Sequence, residues 1–175
     1  MQKSLFVDID GTLAEWKSAS TYEDLLTEGY FRNLRPHEEV VEAINLLNES
    51  GLNVYILSAY LSDSQYAVSD KKDWIRQYLP GVSEGHILLC PTGSTKSEVA
   101  AEALGVGKIS EDAVLLDDYS ENLHEWACAG GFAIKLLNGI NARKGTWKGA
   151  TVSRYEEPNE IAMKIIETAK LLKED

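Results

Sequence analysis

Short runs of apolar residues recur along the chain, and longer amphipathic segments separate them. Runs of this length without polar alternation are typical of strands that are covered on both faces, as in a parallel sheet. We predict five such strands, at residues 5–7, 54–57, 87–89, 114–116 and 132–134. The alternation of strands with amphipathic segments therefore predicts a layered α/β architecture.

The amphipathic segments carry the start signals of helices. Five of them follow a residue suited to a helix N-cap or a first helical position: Pro36, Ser69, Thr95, Ser120 and Pro158. Strand–helix repetition of this kind implies right-handed crossovers and a doubly wound, mostly parallel sheet. Such a sheet binds its ligands beyond the carboxyl ends of the strands, at a switch point in strand order.

The 175 residues fit one domain, and we assign residues 1–175 to it. One irregular insertion, at about residues 15–35, follows the first predicted strand. It is too short for a domain of its own but long enough for a helical flap. We therefore predict a small cap over the crevice at the carboxyl ends of the strands.

The charge and composition exclude some partners. A formal net charge of −11 argues against charge-driven binding to a nucleic-acid polymer or an anionic membrane. It still permits a small anionic substrate, because a metal ion and one or two lysines reverse the sign locally. No apolar stretch approaches the roughly 20 residues that span a bilayer. With no signal-peptide anatomy at the N-terminus, the default prediction is a cytoplasmic protein.

The two cysteines, Cys90 and Cys128, lack the spacing of a zinc site or a redox pair. A free cysteine behaves in a protein core as a small apolar side chain. We therefore expect both to be buried free thiols.

The strongest chemical signal is Asp8-Ile9-Asp10-Gly11-Thr12, directly after the first predicted strand. Two carboxylates so close together raise each other's pKa, and a bound divalent cation removes that penalty. Asp8 can offer one oxygen to Mg²⁺ and the other to phosphorus, while Asp10 can act beside the leaving-group oxygen as general acid and base. Gly11 permits a turn whose N–H groups face phosphoryl oxygens. An Asx-rich turn without chemistry is the alternative.

Polar residues also end two other predicted strands. Asp117 and Asp118 supply further oxygen ligands for a hard cation, although alone they equally suit a helix entry. The Ser58 hydroxyl and the N–H of Ala59 can bind phosphoryl oxygens, although such a serine often only forms a turn. Lys96 lies at a predicted helix start, where the helix dipole disfavours a cation unless an anion is near. We therefore predict that it neutralises phosphate.

Other polar features receive weaker assignments. Lys71, Lys72 and Lys108 compete with Lys96 for the phosphate, but we expect them on solvated faces. The segment 138–147, after the fifth predicted strand, is polar, glycine-rich and basic, and it can close over the crevice. Most such loops only connect elements, so direct contact with a substrate stays open.

The acidic motif at Asp8–Thr12 is followed along the chain by Ser58, Lys96 and the pair Asp117-Asp118. This order of motifs resembles that of the haloacid-dehalogenase-like (HAD) superfamily, over residues 5–118. The resemblance implies that Asp8 attacks phosphorus in line, and that Asp10 protonates the leaving oxygen and then activates water. It also implies that Ser58 and Lys96 hold the phosphoryl group through its transition state. The Mg²⁺ ligands that it implies are Asp8, the main-chain carbonyl of Asp10 and Asp118, with Asp117 in support.

Within that superfamily, the stretch from Asp8 to Trp16 is similar to the 5′(3′)-deoxyribonucleotidase branch, which has an aromatic residue at the last of these positions. Trp74 after Lys71 is similar as well. The resemblance implies that Trp16 stacks on a nucleobase, whereas packing in the core or flap is an equal alternative. The chain departs from the branch in its small cap, because Ala59 follows Asp10 by only 49 positions.

The sequence therefore predicts a Mg²⁺-dependent phosphomonoester hydrolase whose substrate is a small phosphorylated metabolite, with nucleoside or deoxynucleoside 5′-monophosphates favoured. A HAD phosphatase of sugar phosphates or other small metabolites is the alternative. A receiver-like module is disfavoured because its phosphoacceptor aspartate follows the middle strand, where this chain has Cys90. A non-catalytic phosphate-binding module is disfavoured because every motif position is filled. The oligomeric state stays open, as does the choice between Asp117 and Asp118 as the direct metal ligand.

Overall fold

The computed structural model describes residues 3–141 and 145–171. A six-stranded, fully parallel sheet lies at its centre, in the order β3-β2-β1-β4-β5-β6. The strands are β1 (Ser4–Val7), β2 (Asn53–Tyr60), β3 (Ile87–Pro91), β4 (Ala113–Asp117), β5 (Phe132–Leu137) and β6 (Ala150–Ser153). The helices are α1 (Tyr22–Leu25), α2 (Glu38–Glu49), α3 (Ala67–Tyr78), α4 (Lys96–Leu104), α5 (Ser120–Cys128) and α6 (Pro158–Ala169), with a 3₁₀ turn at Glu84–His86.

Helices cover both faces of the sheet, which explains why its strands are continuous apolar runs. Leu5 and Val7 of β1 point into a core cluster that includes side chains of α2, α3 and α6. Phe6, between them, points into a second cluster that includes side chains of α4 and α5. The predicted α/β fold with a doubly wound sheet is therefore confirmed.

The strand order reverses between β1 and β4, which are neighbours in the sheet although they are far apart in sequence. From β1 the chain moves outward through β2 to β3, and from β4 it moves the other way through β5 to β6. The connections that follow β1 and β4 therefore diverge, and this opens a crevice at the carboxyl ends of the strands. The acidic residues of the sequence motifs follow these two strands.

All five predicted strands are present, whereas the sixth was not predicted. β6 lies at the edge of the sheet, and Val152 is its only fully buried residue. A strand with one buried side chain has no apolar run, so the sequence pattern could not indicate it.

The helix start signals are correct in place but not always in detail. Pro158 opens α6, and Thr95 is the N-cap of α4, as predicted. α2 instead begins after His37, and α3 begins before Ser69, whose hydroxyl donates back to the Tyr66 carbonyl from inside the helix. Start signals therefore located the helices to within a few residues, which is the usual precision of helix ends.

The two cysteines differ. Cys90 is buried, as expected, but Cys128 is exposed, so the prediction of a buried thiol is wrong for Cys128. Cys128 is the last residue of α5, and the buried face of this helix is formed by Leu123 and Trp126.

Residues 15–35 form an excursion whose two ends are joined. Ala14 forms an antiparallel bridge with Pro36, and the N–H of Glu15 donates to the Arg35 carbonyl at 2.7 Å. Further along, the Trp74 indole of α3 donates to the Leu34 carbonyl at 2.8 Å. The excursion is thereby fixed beside the carboxyl end of β2, and its role as a small cap stays a prediction.

Within the described part of the chain, no helix has both the length and the apolar character needed to cross a bilayer.

A buried and an exposed tryptophan allow a test of the core. Trp126 is 0% exposed, packs on Phe6 at 5.3 Å between ring centroids and donates to the Ala113 carbonyl, whereas Trp16 is 54% exposed. We expect Trp126→Ala to lower the free energy of unfolding by about 3–5 kcal/mol, because it leaves a cavity. Trp16→Ala should change it by less than about 0.5 kcal/mol. Urea denaturation measures both, and equal losses would contradict this description of the core.

Candidate active site

A buried lysine joins two of the motif carboxylates. Asp8 follows β1, and its N–H donates to the Leu116 carbonyl of β4, which sets Asp8 beside Asp117. The Lys96 ammonium, from the first residue of α4, lies 2.7 Å from Asp8 Oδ1 and 2.7 Å from Asp117 Oδ2. Burial alone would lower the pKa of Lys96, but attraction to Asp117 and Asp8 outweighs burial and raises it. Lys96 is therefore held as a cation in the crevice.

The two neighbouring aspartates at the end of β4 have different surroundings. Asp117 is fully buried, and its carboxylate accepts from Lys96, from the Tyr119 N–H at 2.8 Å and from Asn122 Nδ2 at 2.9 Å. Asp118 accepts from Asn138 Nδ2 through Oδ2 at 2.9 Å, while no described residue donates to its Oδ1. Asp118 therefore has an oxygen available for a ligand, whereas the carboxylate of Asp117 is occupied.

Three carboxylates form a group that can hold a cation. Carboxylate oxygens of Asp8, Asp117 and Asp118 lie within 4.8 Å of one another, and of these Asp117 already accepts hydrogen bonds at both oxygens. Burial, together with repulsion from Asp8 and Asp117, raises the pKa of Asp118 to about 7. A hard divalent cation binds carboxylate oxygens and removes such repulsion. The donor set therefore fits Mg²⁺.

Glycine is required between the two acidic loops. Gly11 has a φ of +85°, in the left-handed region that favours glycine. A Cβ atom at this position would lie 2.6–2.7 Å from the carboxylate of Asp118. The absence of a side chain thus allows the loop after β1 to approach the acidic end of β4.

Lys71 also lies in the crevice, so the expectation of a solvated face is wrong for this residue. It is 1% exposed, and its ammonium donates to Asp10 Oδ2 and, at 3.0 Å, to the Ser58 hydroxyl. Lys72 and Lys108 are not buried, as expected. Helical spacing could have identified Lys71, because it falls on the buried face of α3 with Ala67 and Trp74.

Asp10 lies beside this second lysine. Burial raises the pKa of Asp10, repulsion from Asp8 adds to the rise, and attraction to Lys71 opposes it. The Oδ1 atom of Asp10 is buried and has no hydrogen-bond partner among the described residues. An unpartnered buried oxygen is costly, which is typical of an atom that meets a ligand or a proton during function.

A partly open pocket of about 230 Å³ lies between Asp10, Ala59 and residues of the 15–35 excursion. Aromatic and aliphatic side chains form most of its wall: Trp16, Leu25, Tyr30, Phe31, Leu34 and Leu61. Lys17 and Thr92 contribute polar groups. We refer to this space as the aromatic cavity. The structure thus brings Trp16, Asp10 and Ala59 to one cavity.

The predicted site residues converge, although they come from four strand ends. Asp8, Asp10, Ser58, Lys96, Asp117 and Asp118 all lie at the carboxyl ends of the strands. Of the segment 138–147, residues 142–144 lie outside the described part. Its first residue, Asn138, reaches the acidic group through Asp118 and Gly11, which the sequence did not indicate.

A model of a known protein family matches this sequence. The model of the family described as 5′ nucleotidase, deoxy (pyrimidine), cytosolic type C protein matches residues 11–148. The match covers most of the chain and begins three residues after Asp8. No curated protein sequence matches the chain.

Solved structures of HAD hydrolases share this architecture. A D,D-heptose 1.7-bisphosphate phosphatase from B. bronchiseptica, complexed with magnesium and phosphate, superposes with a TM-score of 0.70 at 16% identity, covering 94% of this chain and 98% of that one. A HAD family hydrolase from Deinococcus radiodurans R1, with bound phosphate and sodium, gives 0.65 at 14% identity, covering 99% and 98%. A family IA HAD hydrolase from Entamoeba histolytica gives 0.65 at 13% identity, covering 96% and 99%. At these identities, the likeness shows the fold alone.

The raised pKa of Asp118 has a consequence for stability. The pKa of an aspartate in an unfolded chain is about 3.9, whereas in the folded protein burial raises the pKa of Asp118 to about 7. Because the folded state binds this proton more tightly, the contribution of Asp118 to stability falls as pH rises from about 4 to 7. In EDTA, we therefore expect Tm to fall more between pH 5 and 8 for wild type than for Asp118→Asn.

The control for this measurement is Glu160→Gln, which removes one negative charge from an exposed position. Its Tm profile should run parallel to that of the wild type, because an exposed carboxylate has a similar environment in both states. If the Asp118→Asn profile is parallel as well, the pKa of Asp118 is not raised.

Proposed function

This chain belongs to the 5′ nucleotidase, deoxy (pyrimidine), cytosolic type C protein family of HAD phosphatases, and we propose that it hydrolyses nucleoside or deoxynucleoside 5′-monophosphates with Mg²⁺ through an aspartyl-phosphate. The observation that carries the proposal is the position of Asp10. Its carboxylate accepts from Lys71 in the crevice on one side and lines the aromatic cavity on the other. One nucleotide could thus place its phosphate in the crevice and its base in the aromatic cavity. We also propose that the protein acts in the cytoplasm.

Asp8 is the proposed nucleophile. A carboxylate oxygen of Asp8 attacks phosphorus in line, and the bond from phosphorus to the ester oxygen breaks as the new bond forms. Lys96 donates to Asp8 Oδ1 and so fixes the orientation of the carboxylate. In the second step, water attacks the same phosphorus, which releases phosphate and regenerates the Asp8 carboxylate.

Asp10 is the proposed general acid and base. Burial raises its pKa and so favours a protonated carboxyl, which can give its proton to the departing ester oxygen. The carboxylate that remains can then take a proton from the attacking water. Lys71 donates to Asp10 and holds the side chain in place for both transfers.

The phosphoryl oxygens require donors and positive charge, because negative charge is spread over them in the transition state. Ser58 offers its hydroxyl, Ala59 its main-chain N–H, and Lys96 and Lys71 supply charge from two sides. Lys71 extends the set predicted from the sequence. Two lysines in the crevice also explain how a chain of net charge −11 binds an anion.

Mg²⁺ would be held by Asp8, by the main-chain carbonyl of Asp10 and by Asp118, whose Oδ1 accepts no hydrogen bond from the described residues. Asp117 would act behind it, through Lys96 and Asn122. When bound, the ion neutralises phosphoryl charge and orients the ester.

The aromatic cavity favours a nucleobase over a bare sugar. Sugar hydroxyls require hydrogen-bond partners along the wall, but this wall is mostly apolar. Trp16 lies at its rim with 54% of its surface exposed, so its ring face is accessible. We therefore assign to Trp16 stacking on the base of the nucleotide.

The central experiment measures phosphate release with MgCl₂ or EDTA from nucleoside 5′-monophosphates, deoxynucleoside 5′-monophosphates and sugar phosphates. We expect Asp8→Asn to lower turnover by about a thousandfold or more, because it removes the nucleophile. Glu160→Gln, an exposed charge removal, should retain full activity. Appreciable turnover by Asp8→Asn would exclude covalent catalysis by Asp8, and full turnover of wild type in EDTA would exclude the metal.

The role of Trp16 is tested with a matched pair of substrates. Stacking is worth about 1–3 kcal/mol per base, so its loss should lower kcat/KM by about 5- to 150-fold. We expect this loss for Trp16→Ala with a nucleoside 5′-monophosphate but not with ribose 5-phosphate, which is the same ester without the base. Equal losses on both substrates would assign Trp16 a structural role. A wild-type preference for sugar phosphates would exclude the nucleotidase proposal but not the phosphatase.

A further inference from the structure

One buried amide connects the two acidic loops of the crevice. Asn138 follows β5 and is 5% exposed. Its Nδ2 atom donates to the Gly11 carbonyl at 2.7 Å and to Asp118 Oδ2 at 2.9 Å. Both hydrogens of one amide group are thus used on loops that follow two different strands, β1 and β4. The residue itself belongs to neither loop.

A second asparagine determines which way this amide points. The N–H of Asn141 donates to Asn138 Oδ1 at 3.2 Å, and the N–H of Asn138 donates to Asn141 Oδ1 at 2.8 Å. Since Oδ1 of Asn138 accepts from a main-chain N–H, Nδ2 must face the acidic side. Asn141 Nδ2 completes the turn by donating to the carbonyls of Asp118 and Leu136. The orientation of the Asn138 amide is therefore fixed before any ligand binds.

We propose that Asn138 is the positioning residue of the cation site, holding the Asp118 carboxylate at a fixed distance from the turn that follows Asp10. The inference rests on the proposed function, because it assigns the same carboxylate to the cation. The Asp118 carboxylate lies close to those of Asp8 and Asp117, which repel it, and the bond from Asn138 holds it in this position. The bond from Asn138 occupies Oδ2 and leaves Oδ1 for the ligand.

The same amide fixes the other side of the site. The Gly11 carbonyl is one residue beyond Asp10, whose own carbonyl is a proposed ligand. Gly11 packs so closely on Asp118 that a Cβ atom would not fit. By donating to the Gly11 carbonyl and to the Asp118 carboxylate, Asn138 sets the spacing between them. Asn138 is not among the proposed ligands of the phosphate or the cation, so its effect on the reaction is indirect.

The test is the affinity of Asn138→Ala for MgCl₂, measured by isothermal titration and by the rise in Tm that the metal causes. We expect affinity to fall by about 10- to 100-fold, as is typical when an outer partner of a metal ligand is lost. The MgCl₂ concentration for half-maximal phosphate release should rise by the same factor. At saturating MgCl₂, kcat should return close to the wild-type value, because no reacting group has been removed.

The matched control is Asn45→Ala. Asn45 also donates from Nδ2 to a main-chain carbonyl, that of Tyr78, at 3.0 Å, but at the last residue of α3, away from the crevice. It should lower Tm in EDTA without changing the affinity for MgCl₂. If Asn138→Ala does not fold, Asn138→Leu keeps a similar side-chain volume without the donors, and the same loss of affinity is expected.

Two outcomes overturn the inference, and they differ. If the Asn138 variant is folded and binds MgCl₂ as tightly as wild type, Asn138 only stabilises its loop, and the proposed function stands. If the wild type neither binds MgCl₂ nor requires it for turnover, the proposed function fails in its metal requirement, and the positioning role fails with it.

Discussion

The mutual repulsion of buried carboxylates is the constraint on which this site depends. Asp8, Asp10, Asp117 and Asp118 share one crevice, and burial strengthens every repulsion between them. The arrangement is stable only with positive charge inside it. Lys96 serves Asp8 and Asp117, Lys71 serves Asp10, and the oxygen group around Asp118 suits a divalent cation. The active site is therefore a balance of charge that the fold holds in place.

The fold supports this balance by bringing separate chain segments to one edge of the sheet. Parallel strands all end on the same side, so residues that follow β1, β2 and β4 meet without any local sequence relation. α3 and α4 each deliver one lysine to that edge from opposite faces of the sheet. The doubly wound order thus places a lysine ammonium on each side of the loop that carries Asp8 and Asp10.

Most of the fold could be predicted because burial on both faces leaves an apolar run in the sequence, as in β1 and β4. The edge strand β6, with one buried residue, leaves no such signal. The acidic motifs could be predicted because the residues of each motif are adjacent in the sequence and stand at the end of an apolar run. The charge of Lys71 favours a solvated face, whereas its helical spacing places it on the buried face of α3, and the structure follows the spacing. The sequence placed Asn138 in a segment that can close over the crevice, but it could not indicate the bond to Gly11, which spans 127 positions.

The bridge between Ala14 and Pro36 has a consequence for how such enzymes diversify. It joins both ends of the excursion at a fixed point beside the loop that carries Asp8 and Asp10, so residues 15–35 form a closed module. Lengthening a loop whose ends are already held adds little closure entropy, about 0.6 kcal/mol per doubling. Evolution or design can therefore exchange this module for a larger or smaller one while the geometry at Asp8 and Asp10 is inherited unchanged.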